Sequence, residues 1–138
     1  MRFPFFREGE RCVKYPWAAE YLLAMPGVTD NWQMDWNWHR FYVGDKLFAA
    51  ICIGDNEEGF VTVKLPPEEG ELLQGQYEDV IPGYYMNKVH WNSVRTDGNV
   101  PDEVLRVILD HAWQTGFRSL TKKKQQQVIQ AKEGGATV

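Results

Sequence analysis

Gly83–Leu120, GYYMNKVHWNSVRTDGNVPDEVLRVILDHAWQTGFRSL, lays out a strand, a turn and a helix in that order. Alternation predicts a strand from Lys88 to Thr96, with Val89, Trp91 and Ser93 on one face and His90, Asn92 and Val94 on the other. Thr96-Asp97-Gly98-Asn99 is dense in turn formers and ends it. Pro101 suits the first helical position, where its missing N–H costs nothing. Asp102 and Glu103 follow in the first turn, complementing the positive end of the helix dipole. Val104, Leu105, Ile108, Leu109, Ala112 and Trp113 recur at helical spacing as one apolar stripe, opposite Arg106, Asp110 and Gln114. The helix is predicted over Pro101–Thr115, with Gly116 as its stop and Trp91 as the buried link between sheet and helix.

Working back toward the N-terminus, Phe41–Val43, Gly44-Asp45 and Lys46–Ile53 read as a hairpin. A glycine first in a two-residue loop suits its turn. Leu47–Ile53 is nearly all apolar, which predicts a central strand covered on both faces. Phe60–Leu65 alternates, with Val61, Val63 and Leu65 on one side. Pro67 opens a short helix through Leu73 that Gly75 ends, and Gln76–Pro82 is connecting chain. A first helix is expected from Pro16 to Met25, stopped by Pro26-Gly27. Asn31–Arg40 reads as one strand whose Trp32, Met34, Trp36 and Trp38 alternate with polar residues. That face is read as core, because each indole carries on the order of 150–250 Å² of surface to bury. The competing reading is an exposed stacking platform for bases.

The residues Tyr85, Asn87, Lys88, His90 and Trp91 before an alternating strand, with Val100-Pro101 opening a helix that closes on Ala112-Trp113, resemble the MmcQ/YjbR family. Met25-Pro26-Gly27 is similar to the Leu-Pro-Gly that closes the family's first helix. Gly44-Asp45-Lys46 is similar to its Gly-Lys hairpin. The resemblance spans roughly Pro16 to Gln127, and Asn87, His90, Trp91 and Trp113 are among the motif residues that carry it. It implies a small α+β fold, often labelled DNA-binding by structural analogy, with an undefined molecular role and no catalytic residues to transfer. The N-terminal arm, the Trp-rich strand and the acidic Asp55–Asp79 segment depart from the family pattern.

The 138 residues suit a single domain, with residues 1–15 as an arm, 16–130 as the folded unit and 131–138 as a flexible tail. The element order argues an α+β fold with a mostly antiparallel sheet and helices packed on one face. No apolar run approaches the ~20 residues a membrane span needs, and the N-terminal patch is too short for a signal peptide. Cys12 and Cys52 match no ligand or redox spacing, so a reduced, cytoplasmic protein is expected.

The formal charge of −4 is unevenly spread. Eight acids face a single lysine between Gly54 and Asp79, whereas Gly116–Lys132 carries five cations and no acid. Arg118–Gln130 is helix-compatible, with Leu120, Val128 and Ile129 its only apolar residues. Helical spacing there puts Arg118 and Lys122 on one side, with Lys124 displaced by about two-thirds of a turn, so the patch wraps rather than forming a tight row. Lysines also favour the negative C-terminal end of a helix, which is the purely structural explanation of the run. Arg118, Lys122, Lys123 and Lys124, with Lys88, are the candidate nucleic-acid-binding residues, and DNA and another protein are the two candidate partners. The alternative is a protein- or small-ligand-binding domain that uses the aromatic sheet face. His39, His90 and His111 lie in different elements with no metal-site spacing, and no phosphate loop or nucleophile elbow is present. No cofactor, no metal and no enzymatic activity are therefore expected.

Overall fold

The computed structural model describes residues 15–33, 38–53, 59–83 and 87–137, with backbone alone for Ile53 and 131–137. In chain order these form α1 (Ala18–Leu23), β1 (Val28–Gln33), β2 (Trp38–Val43), β3 (Lys46–Ile53) and β4 (Gly59–Lys64). There follow α2 (Pro67–Gln76), β5 (Val80–Pro82), β6 (Trp91–Arg95), α3 (Asp102–Arg118) and α4 (Lys122–Thr137). The strands make one antiparallel sheet in the order β1-β2-β3-β4-β6-β5.

The β2–β3 hairpin turns on Gly44, whose φ of 59° meets the positive φ that its turn position demands. β3 lies third in the sheet and is buried on both faces, as its apolar run predicts. β4 is buried along Gly59–Val63, so its polar-facing side is covered too. Phe48 is the extra residue of a bulge opposite Phe41 and Tyr42, and this turns its ring into the core.

One face of the sheet carries Phe41, Val43, Phe48, Ala49, Val61, Val63 and Val94. Leu22 of α1, Leu105, Ile108, Leu109 and Ala112 of α3, and Val128 of α4 close over them. Leu73, on α2, packs against the same cluster, so all four helices lie on that face. The predicted stripe of α3 is its buried face. On the opposite side of the sheet Trp38, Ala50, Cys52 and Phe60 form a smaller buried cluster, with Ile81 against it.

Several boundaries differ from the sequence expectation. Asn31–Arg40 is not one strand. Trp32 pairs with His39 and Gln33 with Trp38 across the β1–β2 ladder, so the chain reverses within it. Met34 and Trp36 lie outside the described residues, as do Cys12, Tyr84, Tyr85 and 1–14 of the arm. Trp38 is 5% exposed and belongs to core, but Trp32 is 58% exposed, contrary to its assignment there.

Lys88–His90 form a turn, and β6 starts only at Trp91. Trp91 is buried, but alternation puts it with Ser93, on the side away from Asn92 and Val94. It is absent from the helix-side core and so does not link the sheet to α3. β5, expected as connecting chain, is a short edge strand where Pro82 can be tolerated.

Gly116 does not end α3, which runs two residues further to Arg118. A Cβ there would sit 2.8 Å from Val43 Cγ1 and 3.1 Å from Phe48 Cβ, so this glycine permits close approach of helix to sheet. α2 likewise passes through Gly75 to Gln76, and α1 is shorter than Pro16–Met25. The tail expected at 131–138 is helical in its backbone as far as Thr137.

Candidate nucleic-acid interface

Arg118–Gln130 is two helices rather than one. α3 closes at Ser119, whose N–H donates to Gly116 O while its hydroxyl donates to the same carbonyl (2.7 Å). Thr121 then starts α4. Its Oγ1 accepts the Lys124 N–H (3.2 Å), as an N-cap side chain does for an orphan donor. Gln125 Nε2 donates to Phe117 O and Leu120 O, tying the end of α3 to the start of α4. Leu120 is buried over Gly44, and Val128 over Gly27. The junction is therefore a fixed corner.

This corner reverses the structural explanation of the lysines. Lys122, Lys123 and Lys124 occupy the first turn of α4, which holds no acid. They stand at the positive end of the helix dipole, where cations are disfavoured. A capping box would place Glu at the position of Lys124. Arg118, in contrast, ends α3, where a cation complements the dipole. Arg118 and Lys122 belong to different helices, so the expectation that one helix carries both on one side is overturned.

Arg118, Lys122 and Lys123 are exposed, and among the described residues no carboxylate ion-pairs with them. Lys124 differs. Its Nζ bonds Asp45 Oδ2 in the β2–β3 turn (2.5 Å), and this ammonium holds the Asp45 carboxyl below its usual range. Lys124 is an anchor for α4 first. Beside it lies an open depression lined by Gly27, Gly44, Asp45, Lys124, Gln127 and Val128.

Lys88 is exposed in the turn before β6. Register shows which end of the sheet it occupies. Lys64, the end of β4, pairs with Trp91, and Lys46 starts the neighbouring β3, so Lys46, Lys64 and Lys88 share the end where Asp45 holds Lys124. The β2–β3 turn and β6 are separated by two to three strand spacings, about 12 Å. Glu68 and Glu69 of α2 share that end, since α2 follows β4, so the uncompensated charge concentrates at the α3–α4 corner.

The motif residues serve the fold. Asn87 Oδ1 accepts the Val89 N–H (2.8 Å) and Asn87 O accepts the Trp91 N–H (3.0 Å), an Asx-type turn that launches β6. The His90 carbonyl accepts the Leu65 N–H (2.8 Å), while the exposed ring reaches solvent. Trp91 O accepts the Gly83 N–H (2.7 Å). Trp113 Nε1 donates to Pro26 O (3.0 Å) and its ring stacks on Phe117 (4.9 Å), pinning α3 to the turn after α1.

A separate constellation lies on β1 and β2. Trp32 stacks on His39 with ring centroids 4.2 Å apart and planes 16° from parallel. His39 Nε2 hydrogen-bonds Asp30 Oδ2 (2.6 Å), and its ring packs on Phe41 (4.3 Å). The sequence hides this group, because Asp30 and Trp32 meet His39 only once the β1–β2 register is known. At the corner the one start signal is Thr121 as an N-cap residue, and the lysines that follow it in place of acids mask it.

Among the described residues no three His, Cys, Asp or Glu side chains come together as a metal site, and no helix is long and apolar enough to cross a membrane. His111 Nδ1 meets Glu69 Oε1 (3.0 Å) as an isolated pair. Cys52 is buried beside Thr62, and burial pushes its thiol pKa to about 12.

Comparison with known proteins agrees with this architecture. The chain is 33% identical over 111 residues to the uncharacterized protein YjbR of Escherichia coli K12, covering 80% of this chain and 93% of that one. It is 29% identical to the uncharacterized protein YbdF of Escherichia coli O157:H7, covering 80% and 90%. The crystal structure of Deinococcus radiodurans protein DR2400, with a DUF419 domain, superposes with a TM-score of 0.71 at 26% identity, covering 80% and 84%. The YjbR family model matches residues 23–115, a narrower span than Pro16–Gln127, and the α3–α4 corner lies beyond it. With two thirds of its length matched and the Asn87 turn and Trp113 pin accounting for the shared motif, the chain belongs to the YjbR family, whose function is uncharacterised.

Proposed function

We propose that this protein is a weak, sequence-non-specific nucleic-acid-binding module, not an enzyme, and that it contacts phosphates through the α3–α4 corner. The observation that carries this reading is the first turn of α4. Three lysines stand where the helix dipole opposes them, and Lys122 and Lys123 have no acidic partner among the described residues. At Lys124 the bond to Asp45 offsets this, but folding gains nothing from Lys122 and Lys123 there, whereas a phosphate gains both cations and the uncapped N–H groups of the helix end. Arg118 adds a third exposed cation, and Lys88 lies further along the same end of the domain.

Three or so phosphate contacts support a dissociation constant of about 10⁻⁴–10⁻⁶ M at physiological salt. Acids on α2 repel the remainder of a polyanion and limit the side from which it approaches. Titrating labelled DNA at several salt concentrations tests this. Affinity should fall with a log–log slope of about −2 to −3, and Lys122→Glu with Lys123→Glu should remove binding. Binding that ignores salt, or that survives both substitutions, contradicts the reading.

A second reading, a protein- or small-ligand-binding domain using an aromatic sheet surface, draws on the exposed Trp32. It predicts an interaction that withstands salt and depends on Trp32 but not on the lysines.

A further inference from the structure

Trp32 is a large aromatic side chain 58% exposed on an edge strand, yet it is held in place. One face of its indole lies against His39. His39 is fixed in turn by Asp30 and by the fully buried Phe41. More than half of Trp32 is left toward solvent, with the ring's orientation already set. A ring so arranged loses little entropy when something planar stacks on it.

The position of this ring suggests what that planar group is. Val28, Asp30 and Trp32 alternate onto one side of β1, and Val28 packs into the helix-side core. Trp32 therefore projects on the same side of the sheet as α4. Val28 pairs with Val43, next to the turn where Asp45 holds Lys124. From Val28 to Trp32 is four residues of strand, ~13 Å, and Lys122 and Lys123 lie beyond Lys124 in the first turn of α4. A polynucleotide a few residues long carries both chemistries over such a span, with phosphates for the lysines and a base for the indole. Single-strand-binding folds commonly track longer footprints, of ~4–16 nucleotides, with cationic grooves and stacking aromatics. A duplex hides its base faces within its own stack and cannot use the ring.

We propose that the outer face of Trp32 is a stacking site for an unpaired nucleobase, so that the strand held at the α3–α4 corner is single-stranded. The site rests on the nucleic-acid reading above and adds to it a preference that the lysines alone would not give. Asp30 and His39 are positioning residues for the ring.

The test is fluorescence anisotropy of the full chain with a labelled oligothymidine and with a duplex of equal length, at low salt. The single strand should bind more tightly than the duplex. Trp32→Ala should weaken single-strand binding about 5- to 150-fold, the worth of one stacked base, and leave duplex binding unchanged. Trp32→Phe should retain most of the affinity, and Lys122→Glu with Lys123→Glu should weaken both ligands. If Trp32→Ala binds the single strand as the parent does, the stacking site is wrong, while loss in the lysine variant would leave the basic interface standing. If the parent binds neither ligand, both readings fail together. A parent that sediments as a dimer, and becomes monomeric on Trp32→Ala, also overturns the site, because a second copy then occupies the ring.

Discussion

α3 and α4 are consecutive helices of 17 and 16 residues, joined through Ser119–Thr121 and packed on the same sheet, but their sequences answer to different demands. In α3 every feature serves folding. Acids stand in the first turn, a cation in the last, and Leu105, Ile108, Leu109 and Ala112 are buried. α4 buries Val128 among its described side chains, starts on three lysines against its own dipole, and is anchored by Lys124 to Asp45. Where a helix is explained by packing and dipole, its residues report on the fold. Where they run against both, they report on something outside the fold. That difference is why the corner, rather than the family motif, is proposed as the binding surface.

The largest expected effect lies on the α3 side of this contrast. Leu109→Ala removes a fully buried side chain from the helix-side core and should cost about 2–5 kcal/mol, read as a fall in the denaturant midpoint at constant slope. Ile129→Ala on α4, where the side chain is exposed, should change the midpoint little. Equal losses at the two positions would erase the contrast.

Next comes Gly116→Ala. The new methyl would lie 2.8 Å from Val43 Cγ1 and 3.1 Å from Phe48 Cβ, and overpacking of that kind costs about 1–3 kcal/mol. Helix propensity alone predicts the opposite sign, a gain of about 1 kcal/mol for replacing a helical glycine. A stabilised variant would mean that Gly116 is no close-approach residue.

How far the sequence could be read follows the same division. The α3 stripe, the Gly44 hairpin and the buried β3 were legible because periodicity and turn chemistry are local and burial enforces them. Gly116 was not, since a glycine near a helix end signals either a stop or a close approach, and only the facing Val43 and Phe48 distinguish these. The Trp32–Trp38 alternation ran unbroken by Gly or Pro, so two strands looked like one and Trp32 was placed in the core. Trp91 was assigned to the α3 side because alternation shows which residues share a face, not which face the helices cover. The corner itself stayed hidden because Ser119–Thr121 holds no strong breaker, and a continuous helix let Arg118 and Lys122 seem aligned.

A smaller effect concerns the anchor. Lys124 lowers the Asp45 carboxyl below its ordinary 3.8, so the pair's contribution is complete above that value and is lost as pH falls through the lowered one. Both groups are exposed, so the contribution is small and screened by salt. Asp45→Asn should speed amide exchange in α4 at neutral pH and low salt while leaving α3 unchanged, and the gap to the parent should close as pH falls below 3.8 through the lowered value, or in high salt. Acceleration spread equally over both helices would show that the anchor is not local to α4.

The central claim, that the first turn of α4 serves a ligand at some expense to the fold, is tested most directly by one doubly substituted chain, Lys122→Glu with Lys123→Glu, followed in two assays. Carboxylates at a helix N-terminus are favoured where cations are not, so the thermal midpoint should rise, by the equivalent of about 0.3–1 kcal/mol per position. In the same preparation, retention of labelled single-stranded DNA at low salt should disappear. A variant that melts higher and no longer binds is the predicted result; one that melts lower, or that binds as the parent does, contradicts the account.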